Sequence, residues 1–262
     1  MMELFWDAWV WSLLGFVLLW PLSVAWRDTS VVDFWWGPGF GAMALAAWAH
    51  AGQPTSSGAL LVLGLIGLWS VRLGIQLGLR RLREGEEDAR YREMRALRDP
   101  GFWWKSLFII FLLQAVIQGL IGGSIVLIFP SAGTASALGW IAAFVALAAI
   151  VIQTISDTQL DVFKAHTPHG LLKTGLRRYV RYPSYLAEVV FWSALALLAL
   201  DLGWFGGVLS AVIVGLLIRF VSGVTILDDR LARTRTEYPN YRAVTPALIP
   251  SLSPQTQDNP AE

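Results

Sequence analysis

The sequence predicts an all-α, polytopic membrane protein of about seven transmembrane helices, and three observations carry that prediction. Hydrophobic residues make up 55% of the chain, and the mean hydropathy is +0.55. Seven runs of about 20 mostly apolar residues, the length that crosses a bilayer as a helix, recur along it. The basic residues fall only at 27, 72–105, 164–181 and 219–242, leaving the turns near 50–58, 129–136 and 201–206 without any. A soluble domain of this size does not carry seven such runs.

Taken in order, the first span is expected at 4–26. It follows "MME", has no basic leader region and is long enough to span, so it reads as a helix that is retained, not a cleaved signal. The second, 31–50, opens on "VVDFWWGPGF" and carries Asp33 in its first turn. The third, 58–80, contains Arg72 and Gln76 and runs into "RRLREGEEDARYREMRALRDPG" (80–101). Arg, Glu and Asp recur there at helical spacing. That predicts an amphipathic helix, either lying on the headgroups or forming one wall of a cytoplasm-facing pocket.

Spans four and five are expected at 103–128 and 137–160, and six and seven at 184–202 and 204–227. Between the fifth and sixth, "DTQLDVFKAHTPHGLLKTGLRRYVRYP" (157–183) contains Pro168, Gly170, Gly175 and Pro183 and cannot be one helix. Irregular backbone near a membrane must be buried in protein or line a cavity. After the last span comes "DDRLARTRTEYPNYRAVTPALIP" (228–250), then the polar, Pro-containing tail "SLSPQTQDNPAE" (251–262), expected to be disordered. Residues 1–250 read as one domain, with no linker or internal repeat.

Lys and Arg concentrate in short cytoplasmic loops. The N-terminus is therefore expected outside and the C-terminus inside, which agrees with an odd number of spans. The protein is read as multi-pass, in the cell (inner) membrane if bacterial, with the bilayer as its first partner. A net charge of +1 gives nucleic acid no electrostatic footprint. The chain has no Cys and only three scattered His, which argues against a disulfide framework, thiolate chemistry and a metal site. No span carries a small-residue motif that would set the oligomeric state.

Charges inside spans either snorkel to the interface or mark a site. Asp33, Arg72, Glu188 and Arg219 are of this kind. Ser184 and Glu188 are four residues apart and share a helix face, with Pro183 suited to the first turn. A helix N-terminus there would favour an anionic group. The bland alternative is that Glu188 pairs with Arg178 or Arg181.

These residues carry a resemblance. "SVVDFWWGPGF", "LWSVRL", "GEEDARYREMR", "DTQLDVF", "GLRRYVRYPSYLAE", "SG" at 222–223 and "EYPNYRAVTPALIP" together resemble the DUF1295 group of membrane proteins, related to the steroid 5α-reductases. The common family motif reads Ser-Arg-His-Pro-Asn-Tyr followed by Gly-Glu. Here Val180-Arg181-Tyr182-Pro183-Ser184-Tyr185 and Ala187-Glu188 keep the Arg, Pro, Tyr and Glu.

The resemblance implies a seven-helix reductase that binds NADPH on the cytoplasmic side. It passes hydride to the β-carbon of an enone in a hydrophobic, lipid-like small molecule. Carried over residue by residue, the cofactor site comprises Gln153, Asp157, Lys164, Tyr179, Arg181, Ser184, Tyr185, Glu188 and Arg242, with Arg181 and Arg242 expected on phosphate.

The steroid enzymes polarise the carbonyl with a Glu of the second span and a Tyr of the third. This sequence has neither there, and Asp33, Arg72 and Gln76 are the nearest polar groups. The runner-up resemblance is to S-adenosylmethionine-dependent methyltransferases of the isoprenylcysteine type. They share the Arg-x-Pro-x-Tyr motif and the Tyr-rich tail, but not the N-terminal elements.

Overall fold

The computed structural model describes residues 1–251, and among them the fold is helical, without strands. The tail expected to be disordered lies outside the described residues apart from Ser251. Among the described residues, six helices are long and apolar enough to cross a membrane: Met2–Trp26, Ser57–Arg83, Phe102–Ser131, Ala137–His166, Pro183–Asp201 and Gly206–Thr234. The protein is a multi-pass integral membrane helix bundle. The remaining expected run, 31–50, also forms a helix, Asp33–His50. Asp33 in its first turn, Pro38 within it and His50 in its last turn keep it outside that set of six.

We label the helices α1 (Met2–Trp26), α2 (Asp33–His50), α3 (Ser57–Glu84), α4 (Ala89–Arg98), α5 (Phe102–Ser106), α6 (Leu113–Val126), α7 (Ala137–His166), α8 (Pro183–Asp201), α9 (Gly206–Leu216), α10 (Val224–Thr234) and α11 (Tyr238–Val244). A π-helical turn, Leu107–Leu112, joins α5 to α6, and another, Leu217–Val221, follows α9. At ~1.5 Å per residue, the 30 residues of α7 extend ~45 Å, well beyond a ~30 Å hydrocarbon core. Its polar end, from Asp157 onward, therefore projects past the apolar layer.

The chain divides into two compact units, Met1–Phe144 with Ala194–Ala211, and Val145–Ser193 with Val212–Glu262. In the first, α1, α2, α3 and α6 pack through small residues and indole hydrogen bonds. A Cβ on Gly37 would lie 2.8 Å from the Ser70 carbonyl oxygen, so α2 and α3 approach as only a glycine allows. Trp9 Nε1 donates to the Ala115 carbonyl at 2.8 Å and Trp35 Nε1 to that of Ser12 at 2.9 Å. Gln118, fully buried, accepts from Ser12 Oγ and donates to the Trp36 carbonyl at 2.6 Å. In an apolar layer, where water cannot replace a partner, such bonds fix helix rotation.

In the second unit the last span ends at a break. Ser222 N–H reaches back five residues to the Leu217 carbonyl at 2.8 Å, and a Cβ on Gly223 would lie 2.3 Å from the Ile218 carbonyl oxygen. Ser222–Gly223 is thus a kink that only glycine can close, and it starts the amphipathic α10. Beyond α11 the chain runs back along the segment before α8. Arg181 N–H donates to the Pro246 carbonyl (2.9 Å), Tyr182 N–H to Ala247 (3.2 Å) and Ser251 N–H to Tyr179 (2.9 Å).

Candidate functional site

In the first unit the polar residues converge on a short 3₁₀ turn, Thr29–Val32, just before α2. Asp28 caps it, accepting from Ser30 N–H at 2.9 Å, and its other oxygen is ion-paired with Arg81 of α3. The acidic loop before α4 closes over the same turn. Glu87 accepts from Thr29 N–H at 2.7 Å and holds Arg95 at 2.7 Å, while Asp88 N–H donates to Ser30 Oγ at 2.7 Å. Asp88 also caps α4 through Arg90 N–H at 2.9 Å.

Asp33 sits at the centre. It accepts from the Tyr91 hydroxyl at 2.8 Å and from Arg90 Nη2 at 3.3 Å, and Gln114 Nε2 donates to the Tyr91 oxygen at 3.2 Å. Tyr91 is buried in an apolar cluster with Phe16, Val32, Phe102 and Phe111. Burial, and next the Asp33 carboxylate, push its hydroxyl well above the ordinary tyrosine range, so it stays protonated and works as a fixed donor. Burial alone would raise Asp88, but the hydrogen bonds and charge of Arg90 outweigh it and hold that carboxyl low.

A pocket of about 50 Å³ opens beside this cluster, with Asp33, Phe34, Leu77, Arg80 and Arg90 in its lining. The segment 80–101 is therefore one wall of a pocket. Arg72 and Gln76 lie one turn apart on α3, both half-buried, and the pocket is lined by the following turn of that helix.

The second unit brings together four of the sequence-predicted cofactor residues. Gln153 of α7 donates through Nε2 to Glu188 of α8 at 2.9 Å. Trp192, one turn on, donates to the other Glu188 oxygen at 2.9 Å. One turn toward the start of α8, Ser184 Oγ donates to Asp157 at 2.7 Å and lies 2.8 Å from Ser156 Oγ. Glu188 is thus bonded by an amide and an indole, and not by Arg178 or Arg181. An ionised carboxylate only accepts, so Gln153 must turn its NH₂ toward it. That leaves Gln153 Oε1 buried with no hydrogen-bond partner.

The remaining predicted residues fall differently. Arg181 is buried. Its Nη1 donates to the carbonyls of Thr245 (2.7 Å) and Arg242 (3.0 Å), and its Nη2 to Asp228 at 2.9 Å. Asp228 also accepts from the Tyr182 and Tyr238 hydroxyls, which lie 2.7 Å apart. This knot joins the segment before α8 to α10 and α11, and it engages the Arg181 guanidinium, which the resemblance implies for phosphate, with Asp228 and two backbone carbonyls. Arg242 is half-exposed, 3.6 Å from Asp228. Tyr179 is exposed, with its carbonyl held by Ser251. Tyr185 packs its ring 5.7 Å from that of Tyr182, and Lys164 is exposed near the end of α7.

Sequence reading did not single out Tyr91, Gln114 or Asp228 as parts of a site. The signal for Tyr91 was a lone aromatic in an otherwise charged helix. For Asp228 it was a carboxylate directly after the last span.

The model of the family described as "Protein of unknown function (DUF1295)" matches residues 19–246. No curated protein and no solved structure matches the chain.

Proposed function

The chain belongs to the DUF1295 family, and from that premise we propose that it is a membrane-embedded NADPH-dependent reductase. It acts on the C=C of an enone in a lipid-like, steroid- or isoprenoid-like substrate, in the cell membrane, with the N-terminus outside. The relation of the family to steroid 5α-reductases is part of this reading.

The observation that supports it best is the buried Gln153 oxygen. A polar cluster between two apolar helices is costly, and an acceptor left without a donor there suits a ligand that brings an N–H. A carboxamide is such a ligand. Gln153 Oε1 would accept from it, Glu188 would keep Gln153 in that orientation, and Ser184 and Asp157 would meet ribose hydroxyls. NADPH, when bound, supplies a hydride. Addition to an enone builds negative charge on the carbonyl oxygen, which a donor must meet. Arg72 and Gln76 are donors by chemistry. Asp33, held as an acceptor by Tyr91 and Arg90, positions groups around it and is not that donor while ionised.

The test is thermal unfolding of the purified protein with NADPH, NADH and S-adenosylmethionine, followed by NADPH oxidation with a panel of hydrophobic enones. A ligand at ~100 times its dissociation constant adds ~2.7 kcal/mol of apparent stability. NADPH is expected to stabilise most, and Glu188→Gln to remove that effect together with turnover. Stabilisation by S-adenosylmethionine alone would replace this reading with the methyltransferase one.

A further inference from the structure

The cations around the Arg181 knot do not all have anions. Asp228 takes Arg181 and Arg242, and Glu237 takes Lys173. Arg177 and Arg178 stand next to each other on the 3₁₀ turn Gly175–Arg178, and neither has a carboxylate partner among the described residues. Arg178 is exposed; Arg177 is not. Its Nη1 donates to the Arg181 carbonyl at 2.7 Å, and its Nε is enclosed with no partner at all.

The turn that carries it is built firmly. Gly175 has φ +61°, a left-handed conformation that a side chain disfavours, and a Cβ there would lie 2.6 Å from Gln159 Oε1. Leu176 N–H donates to that same oxygen at 3.2 Å. On the other side, the Tyr241 hydroxyl donates to the Arg177 carbonyl at 2.6 Å. Arg177 is therefore fixed at both its backbone and one end of its guanidinium, while its Nε has no partner.

A guanidinium drawn partly out of water without an anion is costly to keep. Burial pushes Arg177 below the usual arginine range, and the neighbouring Tyr241 and Asp157 offset only part of that. Arg181 is the more deeply buried of the two and its Nε is likewise without a partner, but Asp228, 2.9 Å from its Nη2, supplies the anion that Arg177 lacks. Two adjacent guanidiniums, one preorganised with unused donors and one at the rim, suit a tetrahedral oxyanion better than a planar carboxylate.

We infer that Arg177 is an anion receptor that takes a phosphate ester, with Arg178 contributing from the rim. Naming the phosphate as that of a dinucleotide rests on the reductase reading; a lipid headgroup phosphate offers the same chemistry. The site takes over the phosphate role expected of Arg181.

The experiment follows thermal unfolding of the full chain in neutral detergent against pyrophosphate, adenosine 2′,5′-bisphosphate and NADPH. A parallel series uses nanodiscs of phosphatidylglycerol or phosphatidylcholine. Wild type, Arg177→Met, Arg177→Lys and Arg178→Ala are compared. The expected result is saturable stabilisation by at least one phosphate ligand in wild type. Its affinity falls tenfold or more in Arg177→Met, several-fold in Arg177→Lys, which keeps the charge but loses the fork, and less in Arg178→Ala. If Arg177→Met does not fold, Arg177→Lys carries the test.

NADPH and the bisphosphate responding together identify the nucleotide source. A response confined to phosphatidylglycerol, lost in the Arg177 variants, keeps the receptor and removes the reductase reading. NADPH binding with unchanged affinity in both Arg177 variants keeps the reductase and overturns the receptor. So does a lowered melting point that is the same with and without every phosphate ligand.

Discussion

Each unit contains a knot of the same three residue types, and the two knots do opposite things. In the first unit Arg90, Asp33 and Tyr91 meet beside a pocket, with the Arg90 and Asp33 side chains 41% and 28% exposed. In the second, Arg181, Asp228, Tyr182 and Tyr238 meet with Arg181 and Asp228 at 7% and 8%. The chemistry of arginine, carboxylate and phenol does not decide whether a cluster is a site or a bolt. Access does. The open knot leaves Arg90 and Asp33 with faces toward a cavity, whereas the closed one uses the guanidinium on Asp228 and two backbone carbonyls.

The largest expected effect breaks the closed knot. Arg181→Ala leaves the buried Asp228 with only the half-exposed Arg242, 3.6 Å away, as its cation, and the unfolding free energy should fall by ~3–5 kcal/mol. Chemical denaturation in detergent measures it, and a loss under 1 kcal/mol would show that water reaches Asp228. Asp33→Asn should cost less, ~1.5–3 kcal/mol, since it weakens two hydrogen bonds to a charged group that water partly replaces. Equal losses from the two substitutions would erase the distinction drawn here.

The phenols sharpen the comparison through pH. Burial first, and then the hydrogen bond to Asp228, push Tyr238 up to about 12 from the ordinary 10.0. A raised pKa contributes stability that is fully present below the unfolded value and is lost as pH rises through the folded one. Stability should therefore decline between about pH 10 and 12, and Tyr238→Phe should make that decline shallower while costing ~1 kcal/mol at neutral pH. An unchanged alkaline slope in the variant would assign the decline to other groups.

The smallest effect is the control. Arg92 and Glu86 are paired at 2.8 Å but 53% and 78% exposed, so Arg92→Ala should change stability by about 0.5 kcal/mol or less.

The helices were readable because a bilayer demands long apolar runs, and apolar runs are local in sequence. The pocket wall at 80–101 was half readable. The alternation of charge announced a helix, but nothing local says that Tyr91 reaches Asp33 across 58 positions. The residues proposed to hold the cofactor, Gln153, Asp157, Ser184 and Glu188, came through motif resemblance, and their convergence follows from two helices meeting at matching turns. Arg177 and Arg181 were indistinguishable on paper. Both are arginines in one basic run, and only the returning segment 246–251, with Asp228, buries one in an ion pair and leaves the other without an anion.

That returning segment also bears on how the protein is made. Residues 246–251 leave the ribosome after every span, yet they supply the partners of the Tyr179–Tyr182 backbone, and the nearby Thr245 carbonyl accepts from Arg181. Until they emerge, the basic run before α8 lacks the carbonyls that take the Arg181 and Tyr182 N–H groups and part of the Arg181 guanidinium. The knot is a step of biogenesis that only a finished chain completes. A chain that stopped just before Thr245 would keep every span and lack this last fastening.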